Sequence, residues 1–163
     1  MISEPEYAEP SQYSVWDNTN NKLFIFQADY LDVLHSEHLN SRRELITGWA
    51  GNSVRDDTPP IALSPDGLIV IAGSGRYFAA DSLDYLGELD KSFTTGTFWN
   101  GQFVAGRGSQ SNGELTYYDE NYLRSSSESI SGMPLAVISY SSELVLITHT
   151  TAGGVSISTI TAP

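Results

Sequence analysis

Few side chains of this chain have a type and spacing that suggest chemistry, and the first such group contains two of its three histidines. His35 and His38 flank Glu37, and divalent metals accept imidazole and carboxylate groups as ligands. Zinc enzymes carry such groups in a His-Glu-x-x-His pattern on a helix, and neither that spacing nor a helix is predicted here. A solvated loop between strands is therefore the favoured interpretation, with a metal site built from these three residues as the alternative.

A second candidate group places oxygen-bearing side chains at alternate positions, as calcium-binding loops do. Its members are Asp17, Thr19 and Asn21. Lys22 stands at the sixth position, where such loops need Gly, and Ala28 stands at the twelfth, where they need Glu. A turn that hydrogen-bonds its own backbone explains the same residues without a metal and is favoured. No cofactor is predicted, and Ca²⁺ is kept as the one candidate ion.

Covalent catalysis requires a nucleophile, a base and an orienting group, and no such set is recognisable. The chain has no cysteine, which excludes disulfides, zinc thiolate sites and cysteine nucleophiles. No Gly-x-Ser-x-Gly elbow surrounds any serine. The segments 73–75 and 106–109 are interpreted as short glycine loops that lack the Gly-Lys-Ser/Thr of a phosphate loop. His149 follows an apolar strand and is expected to be structural, so no catalytic residue is assigned.

Tryptophans and charged pairs complete the candidates. Indole rings bind carbohydrates or peptides when they are exposed, but Trp16 and Trp99 lie in predicted inner strands and are expected in the core. Trp49 belongs to a long link between two predicted repeat units. The pairs at 42–43 (Arg-Arg) and 56–57 (Asp-Asp) lie in the same link and are interpreted as a solvated loop.

The elements that must position these residues form a repeat. Four segments contain a short apolar strand, a polar turn and a β-branched strand; they are Tyr13–Phe26, Ile61–Ala72, Thr97–Ala105 and Leu135–Thr148. The dipeptide Asn100-Gly101 favours a two-residue hairpin, and Ser64-Pro-Asp-Gly67 places Pro and Gly where a turn requires them. Four antiparallel hairpins are therefore predicted.

The second strands of these hairpins begin at Leu23, Leu68, Phe103 and Leu144, with spacings of 45, 35 and 41 residues. Propeller blades of four strands repeat every ~40–50 residues. Apolar runs such as that at 68–72 predict strands covered on both faces, as they are when blades stack.

A third strand is predicted to follow in each unit. The segments Phe26–Leu34 and Phe78–Leu86 are similar, and 116–123 is a weaker echo. The acidic residue shared by the three segments recurs as Asp29, Asp81 and Asp119, and it is expected to fix a turn by accepting backbone N–H bonds. A ring of carboxylates near a central channel is the functional alternative.

Together with Leu63-Ser-Pro-Asp-Gly-Leu-Ile-Val70, these segments resemble the superfamily of propeller repeats that includes WD-repeat, quinoprotein-like and related bacterial blades. The resemblance implies an all-β chain that forms a β-propeller, or a partial propeller, of about four antiparallel blades. The dipeptide Trp16-Asp17 precedes the first turn and has no Gly-His partner, so a WD repeat proper is not assigned. A β-sandwich with the same strand content is the alternative fold.

The expected organisation is an N-terminal extension at 1–12 followed by a repeat domain at 13–163, with units at 13–57, 58–94, 95–133 and 134–163. The fourth unit ends before an outermost strand. The chain is therefore expected either to pair with a second copy, completing a ring of about eight blades, or to belong to a larger propeller.

Charge limits the classes of partner. Eight basic residues stand against 20 acidic ones, for a net charge of −12. Such a surface repels phosphate backbones, so nucleic acid is not an expected partner. No signal peptide is recognisable and no apolar stretch is long enough to span a bilayer, so membrane insertion is not expected. A bacterial periplasmic or secreted location is the favoured prediction.

Two hypotheses about function follow. The first is a non-catalytic binding or scaffold module whose propeller loops contact a protein, peptide or glycan. The second is a hydrolase or lyase domain of the propeller type, with an acidic or metal site at the central channel. The first is favoured because the sequence contains no convergent set of His, Asp and Lys or Arg.

Overall fold

The computed structural model describes residues 13–27, 33–38, 53–55 and 57–161, and the strands within these ranges form four sheets. Each sheet consists of consecutive strands, each antiparallel to the next, and we call the sheets blades 1 to 4 in chain order. Within the described ranges, no helix is long and apolar enough to cross a membrane.

The strands have the following bounds. Blade 1 contains β1 (Tyr13–Asp17), β2 (Lys22–Gln27), β3 (Val33–His38) and β4 (Ser53–Val54). Blade 2 contains β5 (Ile61–Leu63), β6 (Ile69–Ala72), β7 (Arg76–Ala79) and β8 (Tyr85–Glu88). Blade 3 contains β9 (Thr95–Trp99), β10 (Gln102–Gly108), β11 (Gly113–Tyr118) and β12 (Arg124–Ile130). Blade 4 contains β13 (Met133–Tyr140), β14 (Glu143–His149) and β15 (Val155–Thr161).

This arrangement is a partial β-propeller of four antiparallel blades, which confirms the predicted fold class. First strands of neighbouring blades lie next to one another, β1 against β5 and β9 against β13, as the inner strands of a propeller do. Strands that follow one another in the chain stay in one sheet, so the β-sandwich alternative is wrong. Among the described residues, blade 4 has three strands where the other blades have four.

The hairpin between β9 and β10 shows how local sequence sets the strands. Asn100 and Gly101 connect the two strands with φ values of 49° and 76°. Positive φ at both central residues is the type I′ geometry, whose twist matches that of the flanking strands. The predicted two-residue hairpin is confirmed.

The turn between β5 and β6 is held by hydrogen bonds of its own residues. The Gly67 amide donates to the Ser64 carbonyl at 2.9 Å, with φ of 73° at the glycine. Asp66 Oδ1 accepts from Ser64 Oγ at 2.5 Å and from the Leu68 amide at 3.0 Å. The hydrogen bond from Ser64 lowers the pKa of Asp66. The turn predicted from Ser-Pro-Asp-Gly therefore forms.

Three hydrophobic clusters form the core, and each lies between two neighbouring blades. Junction 1–2 joins Phe24, Phe26 and Leu34 to Val70, Ala72 and Phe78. Junction 2–3 joins Ala62, Ile71, Leu89 and Phe93 to Phe103, Ala105 and Tyr118. Junction 3–4 joins Trp99, Val104 and Leu115 to Val137, Leu144 and Leu146. A fully buried Phe, Leu or Val side chain contributes about 1.5–3 kcal/mol, so these clusters are the main source of stability.

Strand β6 shows how one sheet serves two junctions. Val70 and Ala72 belong to junction 1–2, whereas Ile71 belongs to junction 2–3 and Ile69 packs against it. Successive side chains of a strand point to opposite faces, so a continuous apolar run covers both. The prediction that this run is covered on both faces is confirmed for 69–72, while Leu68 is exposed.

A polar contact also crosses each junction. At junction 1–2 the buried Lys22 Nζ donates to the carbonyls of Ala80 and Asp81, the latter at 3.0 Å. At junction 2–3 the Tyr118 hydroxyl donates to Asp90 Oδ1 at 2.7 Å. At junction 3–4 the Val137 amide donates to Thr95 Oγ1 at 3.0 Å. Burial disfavours the charged ammonium group and lowers the pKa of Lys22. The two carbonyls offset part of this cost because they accept hydrogen bonds from the amine.

Asp57 lies in the link between blades 1 and 2, and its side chain is fully buried. Oδ1 accepts from Ser74 Oγ at 2.5 Å and from the Thr58 amide at 2.9 Å, and Oδ2 lies 3.0 Å from Arg76 Nη2. Burial raises the pKa of this carboxyl against the lowering effect of those partners. The prediction of a solvated loop is therefore wrong at Asp57, because its carboxylate attaches the link to β7.

The β9–β10 turn provides a direct test of the backbone geometry. A Cβ at Gly101 would meet no atom within 4 Å, so Gly101→Ala creates no steric clash with another residue. Its one cost is that an alanine must adopt the positive φ of 76°, which glycine adopts without strain. We expect the free energy of unfolding to fall by about 1 kcal/mol. Chemical denaturation measures the difference.

Gly154→Ala is the matched control, because its added Cβ would have one ordinary contact, 3.6 Å from Thr150 Oγ1. This variant is expected to keep the wild-type stability or exceed it slightly. Equal effects of the two substitutions would contradict the type I′ turn.

Candidate interaction site

The predicted histidine site falls on a strand rather than in a loop. His35, Glu37 and His38 belong to β3, and Glu37 lies opposite Leu23 of β2. The solvated-loop interpretation is therefore wrong, because this backbone pairs with the second strand of the blade. The side chains of His35 and His38 lie outside the described residues, so a metal site here stays a prediction.

The predicted calcium loop forms the turn between β1 and β2. Buried Asp17 accepts from the amides of Thr19 at 2.9 Å and Asn20 at 3.1 Å, and from Asn20 Nδ2 at 2.7 Å. Asn21 takes a positive φ of 50°, and the side chains of Thr19 and Asn21 are exposed. The carboxylate thus fixes the turn, as the favoured interpretation expected, and Ca²⁺ binding stays a prediction.

The recurrent aspartates have different surroundings. Asp119 Oδ1 accepts from the amides of Asn121 at 2.9 Å and Leu123 at 3.0 Å, which is the predicted turn-fixing role. Asp81 offers its backbone carbonyl to Lys22. Asp29 lies outside the described residues.

The two described tryptophans differ in burial. Trp99 is buried in junction 3–4, as predicted. Trp16 is 40% exposed, so its predicted place in the core is wrong. It lies opposite Leu23, on the face of blade 1 that points away from Phe24 and junction 1–2. Outside the described residues lie Trp49, Arg42, Arg43 and Asp56.

A charged group that sequence reasoning did not single out lies beside junction 2–3. We call it the Glu114 cluster; it contains Lys91, Arg107, Glu114 and Arg124. Arg107 Nε and Nη2 donate to Glu114 Oε2 at 2.9 and 2.7 Å. Lys91 Nζ donates to both oxygens at 3.0 and 3.1 Å, and Arg124 Nη2 lies 3.8 Å from Oε1.

The cluster concentrates positive charge in an acidic chain. The hydrogen bonds from Arg107 and then Lys91 lower the pKa of Glu114 to about 2. Asp90 is the second nearby carboxylate, 3.4 Å from Arg124 Nη1. Three cations thus face two carboxylates, in a chain whose net charge is −12. A negatively charged group of a ligand is attracted locally to this part of the surface.

A cavity of about 520 Å³ adjoins the cluster. Its described lining comes from the link before β9, the β10–β11 hairpin and the end of β12, and polar and apolar atoms contribute almost equally to its surface. The lining residues are polar, charged or glycine: Ser92, Thr94, Arg107, Gly108, Asn112, Gly113, Glu114 and Ser129. We call it the rim pocket. Hydroxyl, amide and guanidinium groups bind polar ligands and peptide backbones by hydrogen bonds. In the part of the chain that the structure describes, no group of three His, Cys, Asp or Glu residues could hold a metal ion.

The sequence contains a signal for this site in the segment 106–109. The prediction of a glycine loop there is wrong for Gly106, Arg107 and Gly108, which belong to β10. Arg107 lies directly opposite Glu114 in the β10–β11 hairpin. Opposite charges at facing positions of a hairpin stabilise the pair, so the hairpin register would have revealed this contact.

Comparison with known proteins gives matches among solved structures alone. No protein-family model matches the chain, and none of the curated proteins matches it. A structure described as RRP9 WD40 repeats matches with a TM-score of 0.63 and 15% identity, covering 91% of this chain and 49% of that one. The WD40 β-propeller domain of Doa1 matches with a TM-score of 0.55 and 17% identity, covering 88% of this chain and 48% of that one.

A chain of a mitotic checkpoint complex matches with a TM-score of 0.56 and 12% identity, covering 88% of this chain and 59% of that one. These matches agree with the fold of a partial β-propeller. This chain spans about half the length of the solved chains of RRP9 and Doa1. Identities this low establish the fold alone, and the quinoprotein-like side of the resemblance stays a prediction.

The Glu114 cluster predicts a specific dependence of stability on pH. The pKa of Glu114 is lowered from 4.5 to about 2, so its stabilising contribution is present above pH 4.5 and is lost as the pH falls towards 2. Glu114→Gln removes this contribution. The variant is expected to be less stable than wild type at neutral pH and to lose less stability between pH 4.5 and 2.

Denaturation by urea over that pH range measures both free energies of unfolding. Glu120→Gln, in the exposed β11–β12 turn, is the matched control and is expected to follow the wild-type curve. Parallel curves for wild type and Glu114→Gln would show that the cluster does not stabilise the fold.

Proposed function

We propose that the chain is a non-catalytic binding module, a protein-interaction scaffold whose rim pocket receives a peptide segment of a partner protein. The observation that carries the proposal is the composition of the pocket: three separate chain segments supply convergent hydrogen-bonding groups beside a local excess of positive charge. A rigid sheet framework with a polar depression at its rim suits recognition of an extended backbone.

The chemistry of the pocket defines the class of ligand. Arg107 is about one-third exposed and offers a guanidinium to a carboxylate, while Asn112 and Ser129 lie at the exposed side with amide and hydroxyl groups. Carbohydrate sites usually present an aromatic ring to a sugar face, and the described lining contains no aromatic residue. We therefore infer a peptide with an acidic side chain and regard a glycan as the less suited ligand.

The structural neighbours support the same class of function. One of them is a chain of an assembly named a mitotic checkpoint complex. The other two titles name WD40 repeats or a WD40 propeller domain. Propellers that share this fold can still differ in function, so the pocket chemistry supplies the specific argument.

The enzyme hypothesis requires an acidic or metal site at the central channel, between the inner strands β1, β5, β9 and β13. No described observation favours it over binding, and it is kept as the alternative. A bacterial periplasmic or secreted location likewise stays a prediction.

Selection of random peptides displayed on phage against the chain tests the proposal. Peptides that contain Asp or Glu are expected to be enriched. Ser129→Leu places a bulky uncharged side chain at the pocket without removing a member of the Glu114 cluster or changing the local charge, and it should weaken binding of the enriched peptides at least about tenfold, or 1.4 kcal/mol. Titration calorimetry with synthetic copies of those peptides measures the change.

Ser126→Leu is the control, because it adds the same side chain to the same strand, at an exposed position outside the pocket lining. Peptides that bind this variant and wild type equally, but lose affinity for Ser129→Leu, support the proposal. Enriched peptides that bind all three proteins equally would contradict the rim pocket as the site.

A further inference from the structure

The two end blades each have an apolar face that no junction covers. The blade 4 free face contains Ile138, Val145, Ile147, Val155 and Ile157. Ile138 lies opposite Val145 and Ile147 lies opposite Ile157, so these side chains share one face of the sheet. The other face, with Leu144 and Leu146, belongs to junction 3–4.

The blade 1 free face contains Trp16, Leu23 and Ile25. Trp16 lies opposite Leu23 in the β1–β2 ladder, and Ile25 follows two positions later on the same face. The opposite face, with Phe24 and Phe26, belongs to junction 1–2. None of the residues of the two free faces belongs to one of the three hydrophobic clusters of the described chain.

Half of these apolar side chains are exposed to solvent, whereas Leu23, Ile25, Val145 and Ile147 are half-buried. Val155 and Ile157 are 63% and 69% exposed, Ile138 is 48% exposed and Trp16 is 40% exposed. Monomeric proteins expose single apolar side chains often, but contiguous apolar patches mark surfaces that bind another protein. The two faces therefore have the character of surfaces that bind another protein.

The established junctions show what fits each face. In blade 3, Phe103 faces the preceding blade and Val104 faces the following one. Blade 4 repeats this alternation, with Leu144 towards the preceding blade and Val145 on the side where a following blade would lie. In blade 1, Phe24 faces the following blade, so Leu23 lies where a preceding blade would be. The two free faces are thus the two complementary halves of a further junction.

We propose that a second copy of this chain supplies the missing halves: blade 4 of each copy packs against blade 1 of the other and closes a ring of about eight blades. If a two-fold axis relates the two copies, the two new junctions are identical, and together they cover all four free faces. Eight blades lie within the usual range for propellers. One chain matches 49% of the solved RRP9 chain, so two copies reach the length of that whole WD40 chain. The proposal is independent of the rim pocket, which lies beside junction 2–3.

The association is expected to strengthen with salt. Each copy carries a net charge of −12, so two copies repel one another, whereas the surfaces that meet are apolar. Added salt screens the repulsion and leaves apolar contact intact.

Sedimentation equilibrium of the chain tests the proposal, and twice the chain mass of 17.8 kDa is the expected result. Ile157→Glu on blade 4 and Trp16→Glu on blade 1 should each raise the dissociation constant at least about tenfold. Leu123→Glu is the control: Leu123 is 65% exposed but lies in the β11–β12 turn, away from both free faces, and this variant should associate like wild type.

Mixing the two disrupted variants distinguishes a lost contact from a failure to fold. A mixed pair has one junction with both substitutions and one junction with neither. The mixture is therefore expected to form dimers at a concentration at which each variant alone is monomeric, and circular dichroism confirms that each variant is folded.

Three results would overturn the proposal. One is a wild-type chain that stays monomeric at every concentration and salt level. Another is loss of association with Ile157→Glu but not with Trp16→Glu, which indicates that blade 4 pairs with blade 4. The third is a closed assembly of more than two copies.

Discussion

Phe24 and Phe26 of blade 1 lie against Val70 and Phe78 of blade 2, and this contact of one apolar sheet face with the next recurs at every junction. No blade has a core of its own, because a single sheet has both faces exposed until a neighbour covers them. In the part of the chain that the structure describes, blades 2 and 3 are covered on both sides, and blades 1 and 4 on one. The stability of the chain is therefore expected to depend on neighbouring blades, as it does in other repeat architectures.

Polar contacts add specificity to these apolar surfaces. Two apolar faces can shift against one another at little cost in free energy. A buried amine or hydroxyl that loses its hydrogen-bond partner destabilises the fold by about 1–3 kcal/mol. Lys22 fixes blade 1 to the carbonyls of blade 2, Tyr118 fixes blade 3 to Asp90 in the preceding link, and Thr95 accepts the amide of Val137. The Glu114 cluster extends the second contact to the surface, where Arg107 and Glu114 line one side of the rim pocket. The same groups that align the blades thus create the candidate interaction site.

Local signals in the sequence are sufficient to predict the fold but not to predict the candidate interaction site. Asn100-Gly101 specifies its turn through φ alone, and the alternating apolar runs specify strands and their two faces, so the blades were predictable. The burial of Asp57 depends on Ser74, which lies 17 residues further along the chain, and on Arg76, two residues beyond Ser74. The exposure of Trp16 depends on which face meets blade 2, and the Glu114 cluster depends on the link that carries Lys91. Contacts of this kind require the blade arrangement first, which residue types and spacing do not define.

Amide hydrogen exchange at residue resolution, on the dilute monomeric chain, tests the dependence on neighbouring blades most directly. Amides of the middle strands β6 and β10 are expected to exchange slowest, because their blades are covered on both faces, and those of β2 and β14 are expected to exchange faster. Protection of β14 equal to that of β10 in the monomer would contradict the account, because blade 4 would then be stable without a cover on its second face.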